Sequence, residues 1–188
     1  MADSTKNIIL HGASGKIGDL LVIRQRAGRT ILSAAPGKRE KEATENQKEH
    51  QSRFQQAIIY GKSVVDDETK KAEYAEKATG MKTAFNVAVA DFFHAPDIEE
   101  IDLTNYNGAV NDIIRIRATD DFKVERVHVA IYNSDGSLVE EGDATKTDNQ
   151  LDWLYTSTVV NESLDGDKII VQAIDRPGNV TEEERNIS

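Results

Sequence analysis

Residues 168–181 read KIIVQAIDRPGNVT, and how they are read decides the fold. Ile169, Val171 and Ala173 alternate with Ile170, Gln172 and Ile174, so the segment sends side chains to the two faces of a sheet in turn. That pattern predicts an inner β-strand. The run stops at Asp175, Pro177, Gly178 and Asn179, because proline cannot donate to a strand ladder and Gly-Asn tolerates positive φ. A strand closed by a tight turn marks a scaffold and points to no chemistry by itself.

Working outward, the period of two extends back to Asp97. Residues 98–103 enter the pattern, Ile114-Arg-Ile-Arg-Ala118 and Val127-His-Val-Ala-Ile131 alternate, and Asp135-Gly136 signals a hairpin. Residues 138–141, 151–158 (with Trp153 and Tyr155) and 180–184 complete the set. Six or seven short strands separated by turn signals over about 90 residues predict an antiparallel sandwich.

Ahead of Pro96 the composition is helical. Thr44-Glu-Asn-Gln47 matches a capping box, and the apolar Phe54, Ala57 and Ile58 come late, so the first turns of that helix are expected in solvent and the later ones packed. Asp66 and Asp67 are positioned to cap a second helix through Ala72, Ala75 and Ala78, with Gly80 as its stop. A third segment carries Met81, Phe85, Ala88, Val89, Phe92 and Phe93 at spacings of three and four, predicts a helix from 82 to 94, and is ended by Pro96. Before the helices, a strand at 6–10 and the glycines at 12, 15 and 18 precede two segments, 20–24 and 29–33, that flank Ala27-Gly28 as a β-hairpin. A lone ribbon is marginally stable, so this arm is expected to lean on something else.

The chain has 188 residues and no cysteine, which rules out disulfides and thiolate chemistry and fits a reducing compartment. The first sixteen residues contain no apolar run longer than Ile8-Ile9-Leu10, so neither a signal core nor a membrane span is expected there, and the location expected is cytoplasmic. Net charge is −10, divided as +5 over residues 1–65 and −15 over the remainder. The acidic part should repel nucleic acid and membranes; the basic part suits an acidic partner.

The C-terminal part resembles a bacterial immunoglobulin-like module, akin to fibronectin type III domains, over about 85 residues. The resemblance rests on Ala118-Thr-Asp-Asp121, on Val124, Val127, Val129 and Ile131, on Asp135-Gly136, Trp153 and Asp165-Gly166, and on the A-x-D-x-x-G-N ending from Ala173 to Asn179. It implies a fold and no activity. The N-terminal part is loosely similar to uncharacterised bacterial proteins with a glycine turn, an arginine-bearing hairpin and a helix, though 47–54 departs from their spacing; no function is implied. The expected fold is therefore α+β: a basic β-hairpin plus two or three helices over 1–96, then a C-terminal antiparallel immunoglobulin-like β-sandwich over 97–188.

Tests for chemistry return little. Gly12, Gly15 and Gly18 resemble the phosphate-cradling turn of atypical short-chain dehydrogenases, but residues 19–33 make a poor crossover helix and no Tyr-x-x-x-Lys pair exists. Residue 10 is Leu where a Walker A loop needs glycine, and Ser14 lies in GASGK, not in a nucleophile elbow. The four histidines show no ligand spacing. Asp120, Asp121 and Asp175 are better placed, since loop carboxylates at one end of a sandwich can converge on calcium, though turn hydrogen bonds explain them equally. No catalytic, cofactor or metal residue is assigned. The leading expectation is a non-enzymatic interaction or assembly protein, with Arg24, Arg26 and Arg29 as partner-binding residues on the arm, a protein partner or self-association, and neither nucleic acid nor membrane. The alternatives are a dinucleotide or other ligand at the 12–18 turn and a carbohydrate- or surface-binding module using Trp153 and Tyr155.

Overall fold

The structure, a computed structural model, describes residues 2–3, 12–26, 28–37 and 42–187. Two compact units divide the chain, Met1–Arg53 and Phe54–Ser188, and the boundary falls inside the first helix.

In the first unit, strands β1 (Ala2–Asp3), β2 (Gly15–Ile17), β3 (Leu21–Arg26) and β4 (Arg29–Ala34) form an antiparallel sheet in the order β1-β4-β3-β2. The expected hairpin is β3 and β4, paired from Leu21↔Ala34 to Arg26↔Arg29. The strand expected at 6–10 lies outside the described residues. The glycine turn feeds strands on both counts, since Gly15 opens β2 and Gly18 leads through a turn into β3, so among the described residues no helix begins directly after it. Within the sheet, Gln25 Nε2 donates to Ala13 O at 2.7 Å and to the hydroxyl of the buried Thr30 at 2.9 Å.

Helix α1 (Glu45–Asp66) starts at the capping box: the Thr44 hydroxyl accepts from Gln47 N at 3.4 Å, and Gln47 Oε1 accepts from Thr44 N at 3.2 Å. Its residues 45–56 are exposed, and Ala57, Gly61 and Val64 are buried. Gly61 is required by close approach, because a Cβ there would lie 2.8 Å from Val89 Cγ2 and 2.9 Å from the Phe85 ring. Helix α2 (Glu68–Glu76) is capped by Asp67, which accepts from Thr69 N and Lys70 N at 3.0 and 3.1 Å. Helix α3 is Ala84–Asp91, shorter at both ends than the 82–94 expected from its periodicity. Thr83 and Asn86 form a second capping box that sets its start. At the other end, Phe93 N and His94 N bond to the carbonyls of Ala90 and Asp91, an i→i+3 tightening that unwinds the chain before Pro96.

Eight strands follow: β5 (Asp97–Asn105), β6 (Ile113–Thr119), β7 (Val124–Tyr132), β8 (Leu138–Asp143), β9 (Thr145–Lys146), β10 (Asp152–Thr156), β11 (Lys168–Asp175) and β12 (Val180–Asn186). They make two four-stranded antiparallel sheets, β5-β6-β10-β9 and β12-β11-β7-β8. The 168–181 stretch is β11, its turn and the start of β12. Strand β11 pairs with β7 and β12 on either side, as an inner strand must. Its Ile169, Val171 and Ala173 are fully buried, with Val127, Val129 and Ile131 beside them on β7 and Ile114, Ile116 and Trp153 from the other sheet in the same core. Each of these valine and isoleucine side chains contributes roughly 1.5–3 kcal/mol by leaving water. Trp153 and Tyr155 are 5% and 4% exposed, so they fill this core and do not form the surface aromatic row that carbohydrate binding would use.

The second unit is thus a sandwich-like pair of sheets with a helical layer that keeps its own small core of Val64, Tyr74, Ala84, Ala88 and Phe122. With the N-terminal sheet, the described residues make an α+β, β-rich fold of three helices and three antiparallel sheets. None of these helices is long and apolar enough to cross a membrane.

Candidate functional site

The buried face of α3 carries Ala84, Ala88 and Asp91, spaced four and three apart, so a carboxylate occupies a core position of an otherwise apolar stripe. Asp91 is 2% exposed. The helix around it is pinned from α2 by Tyr74, itself fully buried and stacked on Phe122 with ring centroids 3.8 Å apart. The Tyr74 hydroxyl donates to Asp91 Oδ2 at 2.5 Å, and the Tyr60 hydroxyl, 2.7 Å from Tyr74, therefore donates to Tyr74. Among the described residues, none donates to Asp91 Oδ1.

Asp120 follows the last residue of β6. Its Oδ2 accepts from Phe122 N at 3.0 Å and Lys123 N at 2.7 Å, which folds the link into β7; its Oδ1 is buried and receives no hydrogen bond from the described residues. Asp175 closes β11 and is 2% exposed. Its Oδ1 accepts from Gly178 N and Asn179 N at 2.8 and 2.6 Å, and its Oδ2 accepts from the Asn179 side-chain amide at 2.6 Å. That wrap requires Gly178 at φ 95°, where a Cβ would be strained. The same Asn179 amide reaches His94 O at 3.0 Å and, at a longer 3.3 Å, Phe92 O, so the end of α3 is tied to this turn.

One carboxylate oxygen from each of Asp91, Asp120 and Asp175 lies within 4.8 Å of the other two. Burial, with the negative charges of Asp120, Asp175 and Asp121 behind it, pushes Asp91 up to about 7 even though the Tyr74 hydroxyl favours its ionised form. Burial raises Asp175 too, against the amide donors of Asn179 and Gly178. Tyr74 is driven far above the ordinary phenol range, chiefly by burial, so it stays a donor. The donor set is all oxygen and anionic. Hard cations such as Ca²⁺ and Mg²⁺ take such ligands, and neither thiolate nor imidazole is offered for softer metals. An open depression of about 540 Å³, lined by His94, Asp97, Thr119, Asp120 and Asp121, gives solvent a way to Asp120.

Of the three sequence candidates, Asp120 and Asp175 converge and Asp121 does not. Its carboxylate is half exposed and lies 2.5 Å from His94 Nδ1. Asp91 takes its place. The signal that would have found it is a lone carboxylate in register with Ala84 and Ala88. Arg24 and Arg26 lie on β3 and Arg29 on β4, all exposed, with Arg26 directly opposite Arg29. None of the three makes an ion pair among the described residues.

No known family matches the sequence, and no curated protein matches it. Among solved structures, CopC from Methylosinus trichosporium OB3b is similar with a TM-score of 0.36 and 16% identity, covering 48% of this chain and 88% of CopC. An engineered protein is similar with a TM-score of 0.35 and 15% identity, covering 56% of this chain and 26% of its own. Likenesses this distant assign nothing to the carboxylates.

Proposed function

We propose that the chain is a non-enzymatic interaction or assembly protein whose 97–188 region is an immunoglobulin-like module, and that Asp91, Asp120 and Asp175 take up a hard divalent cation, calcium foremost. The observation that carries the cation reading is the pair of buried oxygens, Asp91 Oδ1 and Asp120 Oδ1, that no donor among the described residues satisfies. Each such group costs about 1–3 kcal/mol, more when charged. Ionised carboxylate oxygens within 4.8 Å of one another also repel, by about 3.5 kcal/mol or more per pair at an effective dielectric constant of roughly 20. A dication between them reverses the sign of that interaction and supplies the missing partner of both oxygens. Calcium suits the set better than magnesium because it accepts irregular oxygen shells, whereas magnesium demands a near-ideal octahedron.

Thermal unfolding of chelator-treated protein tests this. Calcium at a hundred times its dissociation constant adds about 2.7 kcal/mol of stability. A midpoint that millimolar calcium leaves unmoved contradicts the reading. For the interaction role, the exposed Arg24, Arg26 and Arg29, with like charges facing each other across the hairpin, suit an acidic protein surface. Light scattering at low and high salt, on the wild type and on R24E/R26E/R29E, tests it. Association that ignores both salt and the triple reversal contradicts it.

A further inference from the structure

We infer that the cation is a clasp: its uptake at Asp91, Asp120 and Asp175 and the docking of the helical layer (54–96) onto the sandwich are coupled, so that removing the ion loosens the helices and leaves the sheets in place. This rests on the cation reading above and adds what the ion controls.

The three ligands come from different pieces of the second unit. Asp91 ends α3, whereas Asp120 and Asp175 belong to connections at one end of the sandwich, β6 to β7 and β11 to β12. An ion held by all three therefore cross-links helix to sheets. The other ties between these layers gather at the same end. Tyr74 stacks on Phe122, Lys77 Nζ donates to Phe122 O at 3.3 Å, Glu73 pairs with Arg176, His94 meets Asp121, and Asn179 holds the carbonyls that follow α3. The hydrophobic cores are otherwise separate. The sandwich core draws its buried residues from position 98 onward, and the helical core takes one residue, Phe122, from the sandwich. Little apolar burial is shared between the layers, so polar and ionic links at this junction set how tightly they dock. The sandwich keeps its own core and its ladders whether or not the helices are docked.

Without a dication, the carboxylate of α3 faces two others from the sandwich in a buried space, and this repulsion opposes docking. With it, the same three groups attract a common centre. A ligand shifts a conformational equilibrium by its difference in affinity for the two states, and here the undocked state lacks one of the three ligands altogether.

Hydrogen exchange read by mass spectrometry on the full chain, with calcium or with a chelator, tests the clasp, and dialysis against radioactive calcium is run beside it. The expected result is slower exchange over 54–94 on adding calcium, by roughly tenfold, within the usual span of a coupling between two sites, while β7 and β11 hardly change. In Asp175→Asn, whose amide oxygen still accepts the turn N–H groups although its NH2 cannot accept from the Asn179 side chain, adding calcium is expected to leave the variant's own helical exchange unaltered. If dialysis shows calcium bound and the helices are no better protected, or are protected only as much as β7 and β11, the clasp is overturned and the cation site stands. If dialysis shows no calcium bound, both fall.

Discussion

Tyr74 donates its hydroxyl hydrogen to Asp91 Oδ2 across 2.5 Å, joining two side chains that are 0% and 2% exposed. The bond satisfies one oxygen of a buried carboxylate; the other has no donor among the described residues, and the carboxylate as a whole lies beside Asp120 and Asp175.

Tyr74→Phe keeps the ring on Phe122 and deletes the donor. Asp91 then has no hydrogen bond to either oxygen, and the Tyr60 hydroxyl loses its partner. Urea denaturation in chelator should show a loss of about 1–3 kcal/mol, the penalty of unsatisfied buried groups. Calcium should recover part of it. A variant as stable as the wild type in chelator would show that the hydroxyl relay contributes nothing.

The pH dependence comes from Asp91. Its folded-state value, raised to about 7, lies above that of an unfolded aspartate, near 4. The folded state therefore holds the proton more tightly, and the stabilisation is fully present below pH 4 and lost as pH rises through 7. Asp175 shifts in the same direction. Ion-free protein should melt at a higher temperature at pH 5.5 than at pH 8, and Asp91→Asn should flatten that slope. Saturating calcium should reverse it, because the ion requires the ionised carboxylates. Below about pH 4 the sign changes for the groups held low, Asp67 by the backbone N–H of Lys70 and Asp152 by Arg117, and acid should destabilise the protein.

Asn179→Ala removes the amide that binds Asp175 Oδ2 and the carbonyls after α3. A loss of about 1–3 kcal/mol is expected from the carboxylate and carbonyls left behind. Exchange should quicken over 84–94 before it does so over β7. Equal exchange in the variant and the wild type would remove Asn179 from the account of how α3 is held.

Gly61→Ala should lower stability although alanine favours helix by about 1 kcal/mol over glycine. The new methyl carbon would sit 2.8 Å from Val89 Cγ2, and overpacking of this kind costs about 1–3 kcal/mol. Thermal melting decides the net sign, and a more stable variant would show that α1 and α3 separate easily.

What was legible in the sequence was what a repeating side-chain period or a cap encodes locally. The alternation around Val171 placed β11, and Asp175 to Asn179 marked its turn. Thr44 and Gln47 marked the start of α1. The short strands β1, β2 and β9 carry too few residues to show a period, and their pairing comes from neighbours. For α3, the spacing of Phe85, Ala88, Phe92 and Phe93 suggested a longer helix than Thr83 and Asn86 permit. At the site, Asp120 and Asp175 were readable as turn carboxylates at one sandwich end. Adjacent residues in a turn point apart, which separates Asp120 from Asp121. Asp91 was hidden because its meaning depends on which side of α3 is buried, and that is settled by Tyr74 and Phe122 from distant parts of the chain.

The most direct test of the central claim is equilibrium dialysis of chelator-treated protein against radioactive calcium, with Asp91→Asn and Asp175→Asn in parallel. The account predicts one calcium per chain in the wild type, and binding weakened at least tenfold in each variant, equivalent to about 1.4 kcal/mol. No retained calcium in the wild type, or retention that neither substitution changes, would contradict it.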